Sequence, residues 1–289
     1  MTREAAQTTD GPASIVALEQ LFPAGKRLLD DDLILRLVPW SIRIWTIILA
    51  PAWLRDGMFW FFEKLTPGVW ALFPCRKRYI QEKAEDAVSH GIRAVVNLGA
   101  GLDTLVFRSQ VLASLPAWEV DQPVNVATKR KGLERALGKW PDRVTQVAVD
   151  FDHEDLSQTL EAAGFDAREP TLFVLEAVTQ YLTDDGIAST FDFLSKAPSG
   201  SRLLFTYVKQ PFLDGDDIGD LKMIYKSTVQ KGIWHFGLNP ETVTDFLAPF
   251  GWEVVAHESS EEIAARYIPA TGRTIRTMPI EPVVYAVKR

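Results

Sequence analysis

The stretch Arg93 to Arg108, R-A-V-V-N-L-G-A-G-L-D-T-L-V-F-R, reads as a buried strand that breaks into a glycine turn and then into a helix. Ala94-Val95-Val96 is apolar and β-branched, as a parallel strand covered on both faces requires. Gly99 and Gly101, with Ala100 between them, let the backbone turn sharply and approach a ligand with no Cβ in the way. Asp103 and Thr104 can cap the helix that follows. A nucleotide-like ligand is expected at this turn.

Twenty residues beyond Gly101, the strand-like run Ala117-Trp118-Glu119-Val120 ends in Asp121, followed by Gln122-Pro123. An acid at the tip of a second strand is placed to take two ribose hydroxyls. The dinucleotide fingerprint G-x-G-x-x-G asks for glycine at position 104, where this chain has Thr104. The turn therefore favours a methyl-donor site and leaves a nicotinamide site open.

A third apolar strand, Val144 to Val149, ends in Asp150, and a fourth, Thr171 to Leu175, ends in Glu176. Ligands of open α/β sheets sit at the carboxyl ends of the strands, so three acids in register with a glycine turn point to one site. Further on, Thr183-Asp184-Asp185 caps a helix to about Lys196, and Ser201 to Val208 makes a fifth strand. Asn239-Pro240-Glu241 opens a helix, Gly251 precedes a strand through His257, and Pro282 to Val287 is the last strand. Seven strands with a late hairpin-like pair result.

With 289 residues, 47% of them apolar, the chain can bury a full α/β core and an appendage. A formal charge of −7 and a pI near 5.2 argue against nucleic acid as the main partner. Cys75 is the only cysteine, which excludes an intramolecular disulfide and fits a reducing cytosol. No histidine and carboxylate spacing resembles a metal site. Residues 1–13 read as a flexible N-terminus without a signal peptide, since Glu4 and Asp10 stand where a basic region would.

The blocks V-V-N-L-G-A-G-L-D-T at 95 to 104, E-V-D-Q-P at 119 to 123, V-A-V-D-F at 147 to 151 and F-V-L-E-A-V-T-Q-Y-L at 173 to 182 stand in one order with C-R-K-R-Y-I at 75 to 80 and the basic helix Lys129-Arg130-Lys131. In that order they resemble the leucine carboxyl methyltransferase-like proteins, which use S-adenosylmethionine. The resemblance implies a Rossmann-like seven-stranded class I methyltransferase sheet with helices on both faces, over 75–289, and O-methyl transfer. It implies that Arg76, with Arg78 as second choice, binds the methionine carboxylate, and that Gly99, Ala100 and Gly101 bring backbone to the methionine part. Asp121, beside Gln122, would take the ribose hydroxyls, Asp150 the adenine amino group with Phe151 against the ring, and Glu176 the ammonium group. The chain departs from the common family form at Leu105, where many members carry arginine, and at Gln81, where an acid is common. Arg76-Lys77-Arg78 reads by itself as a solvated cluster at a helix start.

Two segments outside that core are expected to decide the substrate. One is 14–74, a helical arm with Trp40, Trp45, Trp53, Trp60 and Trp70, five of the nine tryptophans. The other is 209–238, a cap inserted after the fifth strand. A lid over an apolar, small-molecule substrate is one reading of the arm. Its longest uncharged run, Ile44 to Leu54, is interrupted by Pro51 and falls short of the roughly 20 residues of a span, so 33–62 can touch a membrane surface without crossing it.

A carboxylate acceptor, with an ordinary pKa of about 4, needs no general base, whereas a hydroxyl does. His235, Tyr181 and Tyr207 are the candidate bases. Relatives of the resembled family methylate a protein C-terminal carboxylate, which stands as an alternative acceptor. A nicotinamide-dependent oxidoreductase and a non-catalytic cofactor-binding interaction protein are the readings from other classes. The sequence does not set the oligomeric state.

Overall fold

The computed structural model describes residues 10–151 and 153–289. Residues 1–9 of the terminus expected to be flexible, and Asp152, lie outside the described residues. Residues 10–13, expected to continue that terminus, instead begin helix α1 (Asp10–Glu19).

Among the described residues nine strands form: β1 (Ala94–Leu98), β2 (Ala117–Asp121), β3 (Val144–Ala148), β4 (Thr171–Leu175), β5 (Arg202–Thr206), β6 (Val208–Lys209), β7 (Gly237–Leu238), β8 (Trp252–Glu258) and β9 (Val283–Lys288). Seven make one sheet in the order β3-β2-β1-β4-β5-β9-β8. The first five are parallel, and β9 runs antiparallel between β5 and β8. From β1 the chain builds outward through β2 and β3, then returns to add β4 and β5 on the other side. The order therefore reverses between β1 and β4, which is where open α/β sheets bind ligands.

The apolar runs explain the layering. Every residue of β1 and β4 is buried, because helices cover both faces. Successive side chains alternate between two cores. Val96, Leu98, Phe173, Leu175 and Phe205 join one core with Phe191 of the helix Asp184–Ser195. Val95, Leu172, Val174 and Leu204 join the other with Tyr79, Ile80 and Ala84 of the long helix Val69–Ser89. At the sheet edge β8 keeps one face in solvent, and a bulge between Val254 and Ala256 leaves Val255 exposed.

The helices of the arm are α1, α2 (Ile34–Leu37), α3 (Trp40–Ile48), α4 (Ala52–Leu65) and α5 (Val69–Ser89). The helix after the glycine turn is a single turn, α6 (Leu105–Arg108), and α7 (Pro123–Leu137) follows β2 with proline at its first position. Thr183 caps the helix after β4 by accepting from Gly186 N at 3.1 Å. The fifth strand is shorter than the expected Ser201 to Val208. Its pairing with β9 ends at Thr206 opposite Val283, and the next residue of the partner is Pro282, which has no N–H to offer. The chain leaves the sheet there, and Val208–Lys209 pairs instead with Gly237–Leu238.

Candidate active site

The site begins with the turn after β1. Gly99 and Gly101 take left-handed φ values of 69° and 41°. At Gly99 a Cβ would lie 2.3 Å from Val178 Cγ2, so the glycine is required by space as well as by conformation. The Gly99 and Ala100 N–H groups donate to Val120 O at 2.8 and 3.0 Å, which ties the turn to the end of β2. Asp121 completes the tie, accepting from Gly101 N on one oxygen and from Gln122 N and Asn125 Nδ2, both at 2.7 Å, on the other. Lys129 of α7, buried against Glu119 at 2.7 Å, donates to Ala100 O at 3.2 Å. Burial raises Glu119 to about 7 despite that lysine.

Helix α5 supplies the opposite wall. Arg76-Lys77-Arg78 lies within this helix and not at its start, and only Arg78 behaves as a surface residue, pairing with Glu82 at 3.2 Å. Arg76 is 2% exposed and donates from Nε to Glu176 at 3.0 Å and from Nη1 to Glu281. Lys77 Nζ bridges Asp103 at 2.8 Å and Glu176 at 3.0 Å. Arg108 reaches Asp103 Oδ1 and Thr104 Oγ1, each at 3.0 Å. Burial by itself would raise the Asp103 carboxyl, but Lys77 and Arg108 overcome it and hold Asp103 far below the usual carboxylate range. Beside Glu176, Ala177 holds a left-handed φ of 56°, fixed by its N–H on Thr206 Oγ1 at 2.8 Å. Such strain in a non-glycine residue is characteristic of functional sites.

These walls enclose a cavity of about 100 Å³ at the carboxyl ends of β1, β2 and β4. Of the residues expected from sequence, Arg76, Gly99, Ala100, Gly101, Asp121, Glu176 and Tyr181 line it together. Gln122, Asp150 and Phe151 are not among its described lining residues. Gln122 and Phe151 are buried nearby, and Asp150 pairs with His153 at 3.0 Å. Tyr207 is buried elsewhere with its hydroxyl 2.8 Å from His257 Nε2, and burial pushes that hydroxyl's pKa up, so it is unsuited to act as a base. His235 is exposed and lies outside the cavity. No described residue of 209–238 lines the cavity; Val16, Asp31 and Ile34 of the arm do, with Pro12 and Ala13 just ahead of it, and the tryptophans do not.

Lys77, Asp103, Arg108 and Glu281 were not singled out as site residues by sequence reasoning. One of the two departures from the common family form, Gln81, accepts from Arg108 Nε at 2.9 Å. An arginine one helical turn beyond Leu105 thus reaches the site, and an amide accepts from it where an acid is common. Glu281, next to Pro282 ahead of the last strand, carried no motif at all.

The sequence pattern of the leucine carboxyl methyltransferase family matches residues 11–195. The chain belongs to that family. A relative in Streptomyces coelicolor named "Putative S-adenosyl-L-methionine-dependent methyltransferase" is 31% identical over 211 residues, 71% of this chain and 68% of that protein. One of the same name in Mycobacterium avium is 27% identical over 212 residues, 70% and 67% of the two chains. Among solved structures, a DUF574 family protein from Streptomyces avermitilis superposes with a TM-score of 0.55 at 16% identity, covering 96% of this chain and 97% of that one. The magnesium protoporphyrin IX methyltransferase of Synechocystis, solved with bound SAH, reaches 0.50 at 12% identity over 81% of this chain and 95% of that one. Both share the fold. This member of the leucine carboxyl methyltransferase family is an S-adenosylmethionine-dependent methyltransferase.

Proposed function

We propose that the chain transfers a methyl group to an oxygen of a small, largely apolar metabolite, with a carboxylate as the acceptor. The observation that carries this reading is the state of the cavity's acids. Asp31, Asp103, Asp121 and Glu176 all accept hydrogen bonds from neighbouring donors, and no histidine is among the described lining residues. Burial raises the Asp31 carboxyl, but both of its oxygens already accept, from Ile34 N and Thr104 Oγ1. Of the three candidate bases Tyr181 alone lines the cavity, and an acceptor already ionised at neutral pH needs no general base.

The residues present fit the cofactor. The Gly99 to Gly101 turn brings its backbone to the cavity wall on left-handed glycines, and Asp121 keeps one acceptor position on the oxygen that takes Gly101 N. Arg76 would hold the methionyl carboxylate, Gly99 to Gly101 would face the methionyl backbone, Asp121 would take ribose hydroxyls and Glu176 the ammonium group. Asp150 and Phe151 would meet the adenine. A bound sulfonium supplies an already activated methyl group, so the protein's task is to align donor and acceptor and to exclude water. The cavity is smaller than the roughly 300 Å³ at which ligand pockets begin, so cofactor entry would need part of the lining, to which Pro12, Ala13 and Val16 of α1 belong, to give way.

The test uses the lability of the product. Incubation with methyl-tritiated S-adenosylmethionine and a panel of apolar carboxylic acids and phenols, followed by mild alkali, should release volatile methanol from a methyl ester. Label that stays on the acceptor after alkali marks an ether and overturns the carboxylate reading.

A further inference from the structure

The chain hides most of its large apolar side chains, with one concentrated exception. On α3 and α4, Trp40, Ile47 and Trp53 are each about three-quarters exposed (75%, 74% and 75%), Trp60 is 65% exposed, and Trp45 and Phe61 are more than half exposed. Leu49, just after α3, and Phe59 of α4 are buried against the body, with Ile42, Leu54 and Met58 packed partly buried. Isolated exposed apolar residues are ordinary, but large apolar side chains exposed in such number on two successive helices mark a place that something covers. It does not line the cavity of the active site.

We propose that α3 and α4 form a peripheral anchor that docks on an anionic phospholipid bilayer. Two observations select that occupant. The first is charge. Between Ile34 and Leu65 the cations are Arg36, Arg43, Arg55 and Lys64 against the acids Asp56 and Glu63, a positive balance inside a chain of formal charge −7. The second is the open groove of about 750 Å³ beside Trp60, floored by Phe59, Trp60 and Trp70 and lined by the cations Lys26, Arg55, Lys64, Arg273 and Arg276 against the acids Asp56, Glu63 and Asp220, again a positive balance. Among its lining residues Arg273 Nη2 and Trp70 Nε1 are buried donors without a partner, against one such acceptor, Glu63 Oε2, while Arg273 Nη1 pairs with Glu19 at 2.6 Å. Buried donors left unpaired cost free energy that an acceptor-rich headgroup oxygen would recover.

Aromatic side chains with one apolar face and one polar edge settle at the headgroup boundary, and nearby basic residues add attraction to anionic lipid. No helix of the described residues is long and apolar enough to cross a membrane. A second copy of the chain is the competing occupant. Two-fold pairing would set each patch against itself and bring the same positive balance face to face, which disfavours it.

The experiment mixes the full chain with large unilamellar vesicles of phosphatidylcholine, or of phosphatidylcholine and phosphatidylglycerol in equal parts, and reads co-sedimentation and the blue shift of tryptophan fluorescence. Binding to the anionic vesicles should exceed binding to the neutral ones at least tenfold. The triple variant Trp40→Ala, Trp53→Ala, Trp60→Ala changes only strongly exposed side chains, and its fold is checked by circular dichroism. It should lose at least tenfold in partitioning. Lys26→Ala with Lys64→Ala should lower the anionic preference by roughly 25-fold, at about fivefold per charge. Absence of binding, equal binding to both vesicles, or undiminished binding of the triple variant overturns the proposal. So does a solution dimer, seen by light scattering, that the triple variant dissolves.

Discussion

Replacing Gly99 by alanine tests the construction of the site at its tightest point. Two costs can be worked from the structure. A left-handed φ of 69° costs an L-residue about 1 to 2 kcal/mol. The new Cβ would stand 2.3 Å from Val178 Cγ2, and relieving such overpacking costs about 1 to 3 kcal/mol. Together they predict a loss of about 2 to 5 kcal/mol, and the displaced Val178 is next to the strained Ala177 and two residues from Glu176. The assay is urea denaturation of wild type, Gly99→Ala, Val178→Ala and the double variant. Val178→Ala removes both methyl groups and leaves its Cβ 3.3 Å from the new one, a tight contact that asks for a shift of only a few tenths of an ångström. The double-mutant cycle should return a favourable coupling of about 1 to 3 kcal/mol, while the backbone cost persists. A Gly99→Ala protein within about 0.5 kcal/mol of wild type would refute the reasoning, as would strict additivity in the cycle.

Asp121→Ala should weaken S-adenosylmethionine binding by about 1 to 3 kcal/mol in calorimetry, the scale of a hydrogen bond to a charged group; unchanged affinity removes Asp121 from the site. Glu119 has a folded pKa raised by burial from an ordinary 4.5 to about 7. Its contribution to stability is therefore complete below about pH 4.5 and lost as pH rises through 7. Urea midpoints should fall between pH 5 and 8 in wild type, and Glu119→Gln should flatten that slope; equal slopes in the two proteins count against the assignment. His235→Ala should leave the methylation rate unchanged from pH 6 to 9, because His235 is exposed and away from the cavity. A selective loss at the alkaline end would restore a base at that position and with it a hydroxyl acceptor.

The sheet was legible because its central strands are buried on both faces, so Ala94–Leu98 and Thr171–Leu175 spell themselves out as uninterrupted apolar runs. The glycine turn was legible for a similar local reason, since only glycine tolerates those φ values and that approach to Val178. The wall on α5 was not. Arg76 and Lys77 look like a solvated cluster in sequence, and what buries them is Glu176, about 100 residues on, and Glu281, 205 residues on. Asp103 reads as a helix cap, and it does accept from Leu105 N at 3.1 Å, but the same carboxylate also gathers Lys77 and Arg108. Partners supplied by tertiary contact leave no mark on local spacing. The tryptophans of the arm show the converse: their number was plain, but that four of them face outward depends on how little of α3 and α4 the body covers.

The central claim is that the cavity between β1, β2 and β4 binds an adenosyl methyl donor. Isothermal titration of the full chain with S-adenosylmethionine, S-adenosylhomocysteine and NADH in parallel tests it most directly. Saturable binding of both adenosyl compounds, with no heat from NADH, is the predicted result. Binding of NADH alone, or of none of the three, would contradict it.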